Sequence, residues 1–381
     1  MKAFSTQGVL KGTIITASGN ILVVLLRLLQ FTVIAFKFGA SFVTDAFLVA
    51  QTVPFFFRGV TQNALGFSVV PVFIDLEKRK GEREAWLVAD SLFTLTSVAL
   101  LALGLLVLFL APVLTSVLAP GFSEATHSLA TKLIRVMAPI ILFVGLSAIP
   151  LALFLSYRHF VMPALTSLFL GLGVISFTLL WADRIGIMAV PLGAIAGISV
   201  EFIVLITFLA RKKRRLRICR AIATPGVKQV AGLATPRLLG LSLARINLIV
   251  DRVFASSLGE GYISALTYAD RIVQIPPMIL MSALGKAMLP TLSEHASAGE
   301  IDNLRQRFWR SLSTVGFFVV PMTTVMVLLR RPIIQVFFQR GAFDTAATAL
   351  TGAAVLFYGL GMLAFSFNVI LRVFFWPCRT A

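Results

Sequence analysis

Residues 44–73 read TDAFLVAQTVPFFFRGVTQNALGFSVVPVF. The stretch is apolar for most of its length, and as a helix it rises about 1.5 Å per residue, enough to cross a hydrocarbon core of ~30 Å. Arg58 nevertheless sits in its middle and Asp45 near one end. A charge at that depth costs several kcal/mol unless it faces protein or water, so it marks a functional position. At 100° per residue, Gln51, Arg58 and Gln62 fall within an arc of about 40°. Pro54, four residues before Arg58, is expected to kink the helix and free a carbonyl that can line a cavity.

The rest of the chain has the same character. Of 381 residues, 58% are hydrophobic and 13% charged, against about 25% charged in ordinary soluble domains. Apolar runs predict helices over 12–37, 44–73, 86–110, 129–155, 161–182, 187–210, 229–257, 263–290, 308–330 and 346–375. The class is an all-α polytopic membrane protein with about ten transmembrane helices. The first run lacks the pattern of a cleaved signal peptide and is expected to stay in the mature protein.

The formal net charge is +18. Here that charge is read as a topology signal rather than a nucleic-acid surface, so no nucleic-acid partner is expected. Lys78, Arg79, Lys80 and Arg83 follow the second run, and Arg211, Lys212, Lys213, Arg214, Arg215 and Arg217 follow the sixth. Arg305 and Arg307 lie between the eighth and ninth. The stretches around Pro120-Gly121-Phe122 and Gly259 lack such clusters. The N-terminus is therefore expected in the cytoplasm, with the basic loops against anionic lipid headgroups. Arg330, Arg331 and Arg340 break the alternation.

Internal repetition divides the chain. Ala64-Leu65-Gly66 with Pro71 is matched by Ala283-Leu284-Gly285 with Pro290. Pro112 and Gly121 are matched by Pro332 and Gly341, and Leu142–Leu146 by Leu356–Leu360. The offset is about 220 residues, which is six helices, so the halves have parallel topology about an axis along the membrane normal. The expectation is two pseudo-symmetric lobes around a central cavity: residues 1–220 with six helices, and 221–381 with four. On that repeat the second lobe reads as incomplete.

Other polar groups fall inside the runs. Thr16, Asn20, Arg27 and Gln30 share an arc of about 80° on the first helix. Thr267, Asp270, Arg271 and Gln274 lie together on the eighth, followed by Pro276 and Pro277, and the seventh carries Arg245, Asp251 and Arg252. Ion pairs that only hold the bundle together are one reading, for instance Asp270 with Arg271 or Arg58. The other is an anion site, because Arg27, Arg58, Arg245, Arg252 and Arg271 outnumber Asp45, Asp251 and Asp270. A guanidinium fork grips phosphate in a bidentate manner.

Catalytic signals are quiet. Cys219 and Cys378 form no zinc motif, and His127, His159 and His295 lie in loops. No phosphate-binding glycine loop, metalloprotease helix or nucleophile elbow occurs in the sequence. No enzyme activity, metal or cofactor is expected.

Phe38-Gly39-Ala40, Thr44-Asp45-Ala46-Phe47, Pro54, Arg58 and Val70-Pro71 together resemble the second-helix signature of the lipid II flippases of the MviN/MurJ type. Tyr268-Ala269-Asp270-Arg271, Pro276 and Leu289-Pro290 resemble their eighth-helix signature, and Ala119-Pro120-Gly121-Phe122 their outer loop. The resemblance covers nearly the whole chain. It implies the multidrug/oligosaccharidyl-lipid/polysaccharide exporter superfamily, with two six-helix lobes around a cationic cavity, and two further helices in this family. It also implies a bacterial inner-membrane flippase that moves undecaprenyl-pyrophosphate-linked peptidoglycan precursor to the outer leaflet by alternating access. Asp45, Arg58 and Arg271 match positions important in the family, and Arg27 lies in the corresponding part of helix one. The expected site is thus Arg27, Asp45, Arg58, Asp270 and Arg271, with Asp45 pairing with an arginine in one state. Departures are Gln30, where an arginine is common, and Asn63, where an acid is. The remaining alternatives are a flippase for another polyprenyl-linked glycan, a drug antiporter of the same superfamily, and a non-transporting remnant or scaffold for cell-wall synthesis proteins.

Overall fold

The computed structural model describes residues 6–157, 159, 161–211, 216–219, 224–278 and 301–378. Among them the regular structure is helical. In hydrocarbon every backbone N–H and C=O must bond within its own segment, and a helix achieves this.

Two compact units divide the chain, Met1–Ile263 and Ser264–Ala381. The first contains α1 (Thr6–Phe38), α2 (Phe42–Lys80), α3 (Glu82–Leu118), α4 (Glu124–Ser156), α5 (Val161–Ile185), α6 (Ala189–Arg211), α7 (Pro225–Ala244) and α8 (Ile246–Ser256). α9 (Tyr262–Val273) begins at its end. The first six helices match the six runs expected from the sequence, most with longer ends. α2 stays helical through both Pro54 and Pro71, and each proline, lacking an N–H, leaves the carbonyl four residues earlier without its helical donor.

The seventh run is divided. α7 opens on the Thr224 cap, whose hydroxyl accepts from Val227 N at 3.4 Å, with Pro225 in the first turn where its missing N–H costs nothing. It ends at Arg245, where the chain makes one turn before α8.

α4 is the central helix of unit 1, packed against α2, α3 and α6. Val72, Phe73 and Leu76 of α2, Val88 and Leu92 of α3, Ile149 and Leu153 of α4, Leu205 of α6 and Val230 of α7 form one buried cluster. α5 and α6 approach closely at Gly173 and Gly193. A methyl on Gly193 would lie 2.6 Å from the Gly173 carbonyl oxygen, the small-residue contact typical of helices packed in lipid. Residues 216–219 run along α3, where Asp90 Oδ1 accepts from Arg217 N and Thr94 Oγ1 from Cys219 N, each at 2.9 Å. Large apolar side chains remain on the outside, such as Phe109 at 80% exposure, as a lipid-facing surface requires.

Unit 2 contains the rest of α9, then α10 (Ile301–Leu328), α11 (Arg330–Phe337) and α12 (Thr345–Cys378). α9 gives way to a turn at Gln274, and residues 275–278 are again helical. α11 is a short helix where the sequence suggested a loop at Arg330 and Arg331. Tyr268, Phe338 and Phe343 form a buried aromatic trio, with ring centroids 5.0, 5.6 and 5.8 Å apart. The second copy of the repeat, 283–290, lies outside the described residues. Six described segments are long and apolar enough to cross a membrane: Phe42–Lys80, Glu82–Leu118, Glu124–Ser156, Leu168–Arg211, Phe308–Leu328 and Thr345–Asn368.

Candidate functional site

Arg58 lies on α2, sixteen residues beyond Phe42 and hence about 24 Å from that helix end. Its side chain is 14% exposed. Nη2 donates to Oε2 of Glu201 on α6 at 3.2 Å, and Glu201 is 1% exposed. Arg58 Nη1 is buried and has no hydrogen-bond partner among the described residues. One turn further along α2, the Gln62 amide nitrogen is in the same condition. Buried donors left unsatisfied cost about 1–3 kcal/mol each. Two of them a turn apart define a place short of acceptor oxygens.

Arg245 joins this region through the break between α7 and α8. Its guanidinium packs on Gly59, where a side-chain methyl would overlap it. The bare backbone of Gly59 therefore admits a second cation beside Arg58. Asn63 donates to the Gly59 carbonyl at 2.6 Å.

Gln62, Asn63, Gly66, Phe67, Val70, Pro71 and Leu155 line an open cavity of about 410 Å³. Arg237 lies over the Phe67 ring, 5.3 Å from its centroid. Moving along α2 from Arg58 toward the basic end, the surface thus passes from cationic to amide to apolar.

Near the start of α2 several buried polar groups have partners within the chain. Asp45 is 1% exposed and accepts from Gly261 N at 2.6 Å. Gly261 has φ 85°, a conformation open to glycine and strained for other residues. A methyl there would also lie 2.8 Å from the Ala40 carbonyl oxygen. Gly121 N donates to Ser256 Oγ at 3.2 Å, and a methyl on Gly121 would meet the Ser256 carbonyl oxygen at 2.5 Å. Arg252, 9% exposed, donates to the Ile263 carbonyl at 3.4 Å. The turns after α1 and α3 are thereby fastened to the turn after α8.

Of the expected site residues in unit 1, Arg58 stands in the polar cluster on α2. Asp45 belongs to the fastened end, with the Gly261 amide as a partner. Arg27 has an exposed side chain on α1; the side chains of Thr16 and Asn20 lie outside the described residues. In unit 2, Asp270 and Arg271 approach to 3.9 Å with side chains 31% and 39% exposed, and Gln274 donates to Asp270.

The sequence reading missed Glu201. The tally of buried charges left it out, although it stands in the apolar run GAIAGISVEFIVLITFLA of residues 193–210. The rule that singled out Arg58 applies to it equally. No group of three or more His, Cys, Asp or Glu suited to a metal occurs among the described residues.

Residues 34–379 match the family model described as lipid II flippase MurJ. The chain is 28% identical over 342 residues to the lipid II flippase MurJ of Burkholderia cenocepacia, covering 87% of this chain and 66% of that protein. It is 31% identical to a probable lipid II flippase MurJ of Rhizobium tropici, covering 88% of this chain and 64% of the relative. The chain therefore spans about two thirds of the length of these relatives. Among solved structures, a lipid II flippase MurJ in an inward closed conformation superposes with a TM-score of 0.84 at 25% identity, over 96% of this chain and 76% of that one. An inward-facing multidrug transporter of the MATE family gives 0.74 at 13% identity, over 96% and 84%, which is a likeness of fold.

Proposed function

Because the chain belongs to the lipid II flippase MurJ family, we propose that it is a flippase moving lipid II from the inner to the outer leaflet. The observation that carries the reading is the state of Arg58. A guanidinium deep in a membrane helix, with one terminal nitrogen engaged and the other buried without a partner among the described residues, suits a multiply charged oxyanion. A lipid-linked pyrophosphate has that chemistry. A cationic drug does not, since Arg58 and Arg245 would repel it.

In this mechanism the pyrophosphate sits at Arg58, near the Gln62 amide, with the Arg245 charge strengthening the local field. The sugars extend along the cavity toward Asn63 and Phe67, and the polyprenyl tail stays in lipid. The lobes are residues 1–220 and 221–381 around a central cavity, with Asp270 and Arg271 contributing from the second lobe and Arg27 from helix one. The protein resides in the bacterial inner membrane with its N-terminus in the cytoplasm. Ligand drives the change of access only through its different affinity for the two states.

The test is complementation of a bacterium depleted of its own lipid II flippase, with insertion checked by membrane fractionation. Both this chain and a chimaera carrying residues 34–379 within a full-length relative are expressed. Rescue by the chimaera is expected, and Arg58→Glu abolishes it with the protein still inserted. Unchanged growth with Arg58→Glu overturns the assignment. Failure of an inserted chimaera that a different polyprenyl-linked glycan pathway accepts shifts the substrate.

A further inference from the structure

We propose that Glu201 is a displaceable counter-ion for Arg58, which holds the empty guanidinium in place and yields it to the diphosphate of the bound lipid. The proposal rests on the flippase reading and adds to it a positioning residue on a helix that the site did not include.

Glu201 is the only acid in α6 and is almost wholly enclosed. A carboxylate in that setting is tolerated when it is paired, because an uncompensated buried charge is strongly destabilising. The partner it is given is Arg58. α2 and α6 are both packed against α4, and the Arg58–Glu201 contact is a polar link from one to the other.

The geometry leaves room for a competing anion. Arginine–carboxylate pairs are frequently bidentate, with two parallel bonds. Here one bond is made, at 3.2 Å, and the other terminal nitrogen has no acceptor among the described residues although it is buried. One edge of the fork is occupied and the other is open. A diphosphate brings more charge and more acceptor oxygens than a single carboxylate, so it enters at the open edge and competes for the occupied one. Glu201 then sets the affinity. It lowers the attraction of the empty site for anions in general and speeds release, because its carboxylate is ready to retake Arg58.

The experiment compares wild type, Glu201→Gln, Glu201→Asp and the double variant Arg58→Gln/Glu201→Gln, all of the full chain in nanodiscs. It measures equilibrium binding of undecaprenyl diphosphate and of lipid II, and lipid II translocation in vesicles made with the same proteins. Glu201→Gln is expected to bind the diphosphate lipid about tenfold more tightly, the size of one close charge-pair coupling, and to turn over more slowly. Glu201→Asp, one methylene shorter, shifts both quantities in the same directions by less. The double variant loses the gain. If Glu201→Gln does not insert, Glu201→Asp carries the comparison alone. A purely structural Glu201 predicts weaker binding and slower transport together, and that result overturns the proposal. Lipid II bound and moved by wild type, with no gain in affinity in either Glu201 variant, overturns the exchange and leaves the flippase reading standing. A wild type that binds neither lipid fails that reading and the exchange with it.

Discussion

The start and the middle of α2 treat buried polar groups in opposite ways. Around Asp45, Gly121 and Ser256 the donors meet acceptors, and the backbones approach so closely that a methyl group would collide. Around Arg58 and Gln62, two buried nitrogens lack acceptors among the described residues, and an open cavity lies beside Gln62. Both regions lie on α2, so the helix itself is not the cause. The difference teaches where each region's partner is. The fastened end finds its partners within the chain, as a latch does. The incomplete end, on the proposed function, is completed by the oxygens of the ligand. A set of donors held ready without acceptors is destabilising for the empty protein and favourable for binding, because the cost is removed when the ligand arrives.

The sharpest way to break this contrast is to loosen the fastened end. Gly261→Ala places a methyl 2.8 Å from a backbone carbonyl oxygen that has little room to yield. It also forces an L residue to φ 85°, a strain of about 1–3 kcal/mol by itself. The expected outcome is a clear fall in thermal unfolding temperature in detergent, with diphosphate binding at Arg58 changed less. Asp45→Asn is milder. The amide oxygen still accepts from Gly261 N, but the bond is no longer charge-assisted, so the loss is about 1 kcal/mol. A thermal shift smaller than that of Gly261→Ala checks the order. Equal effects on ligand binding and on unfolding would mean that the two ends are a single polar system.

The architecture was legible in the sequence because hydrocarbon allows so few solutions. Apolar runs of sufficient length gave the first six helices, and Arg58 stood out as a charge in the wrong solvent. The breaks were less legible. Pro54 lies inside a continuous α2, while the interruption at Arg245 comes without a proline. A helix stays continuous or breaks according to which neighbours can take up the freed carbonyls, and sequence spacing does not contain that information. The pairing of charges was hidden for a related reason. Arg58 and Glu201 are far apart in the chain, and α4 packs against both of their helices. Nothing in either run points to the other. Glu201 itself could have been found by the rule that found Arg58, and an acid placed in an apolar run asks for a cation elsewhere. Asp45 was identified as important, but the Gly261 amide as its partner required the turn after α8 to be placed in space.

The smallest expected change in stability comes from Gly59→Ala, and it bears on the incomplete end. The new methyl overlaps the Arg245 guanidinium, which is the far end of a flexible side chain and can move away. Alanine also favours the helix over glycine by ~1 kcal/mol, so unfolding is expected to shift little in either direction. The position of the second cation does change. With Arg245 displaced from the residue next to Arg58, binding of undecaprenyl diphosphate weakens by a few-fold, in line with a rearranged rather than deleted charge. Salt sharpens the reading, since mobile ions screen a half-buried charge such as Arg245 more than a buried pair. The affinity difference between wild type and Gly59→Ala should therefore shrink as ionic strength rises, while the Arg58→Gln defect persists. A difference that survives high salt would indicate that Gly59 acts through the shape of α2 rather than through Arg245.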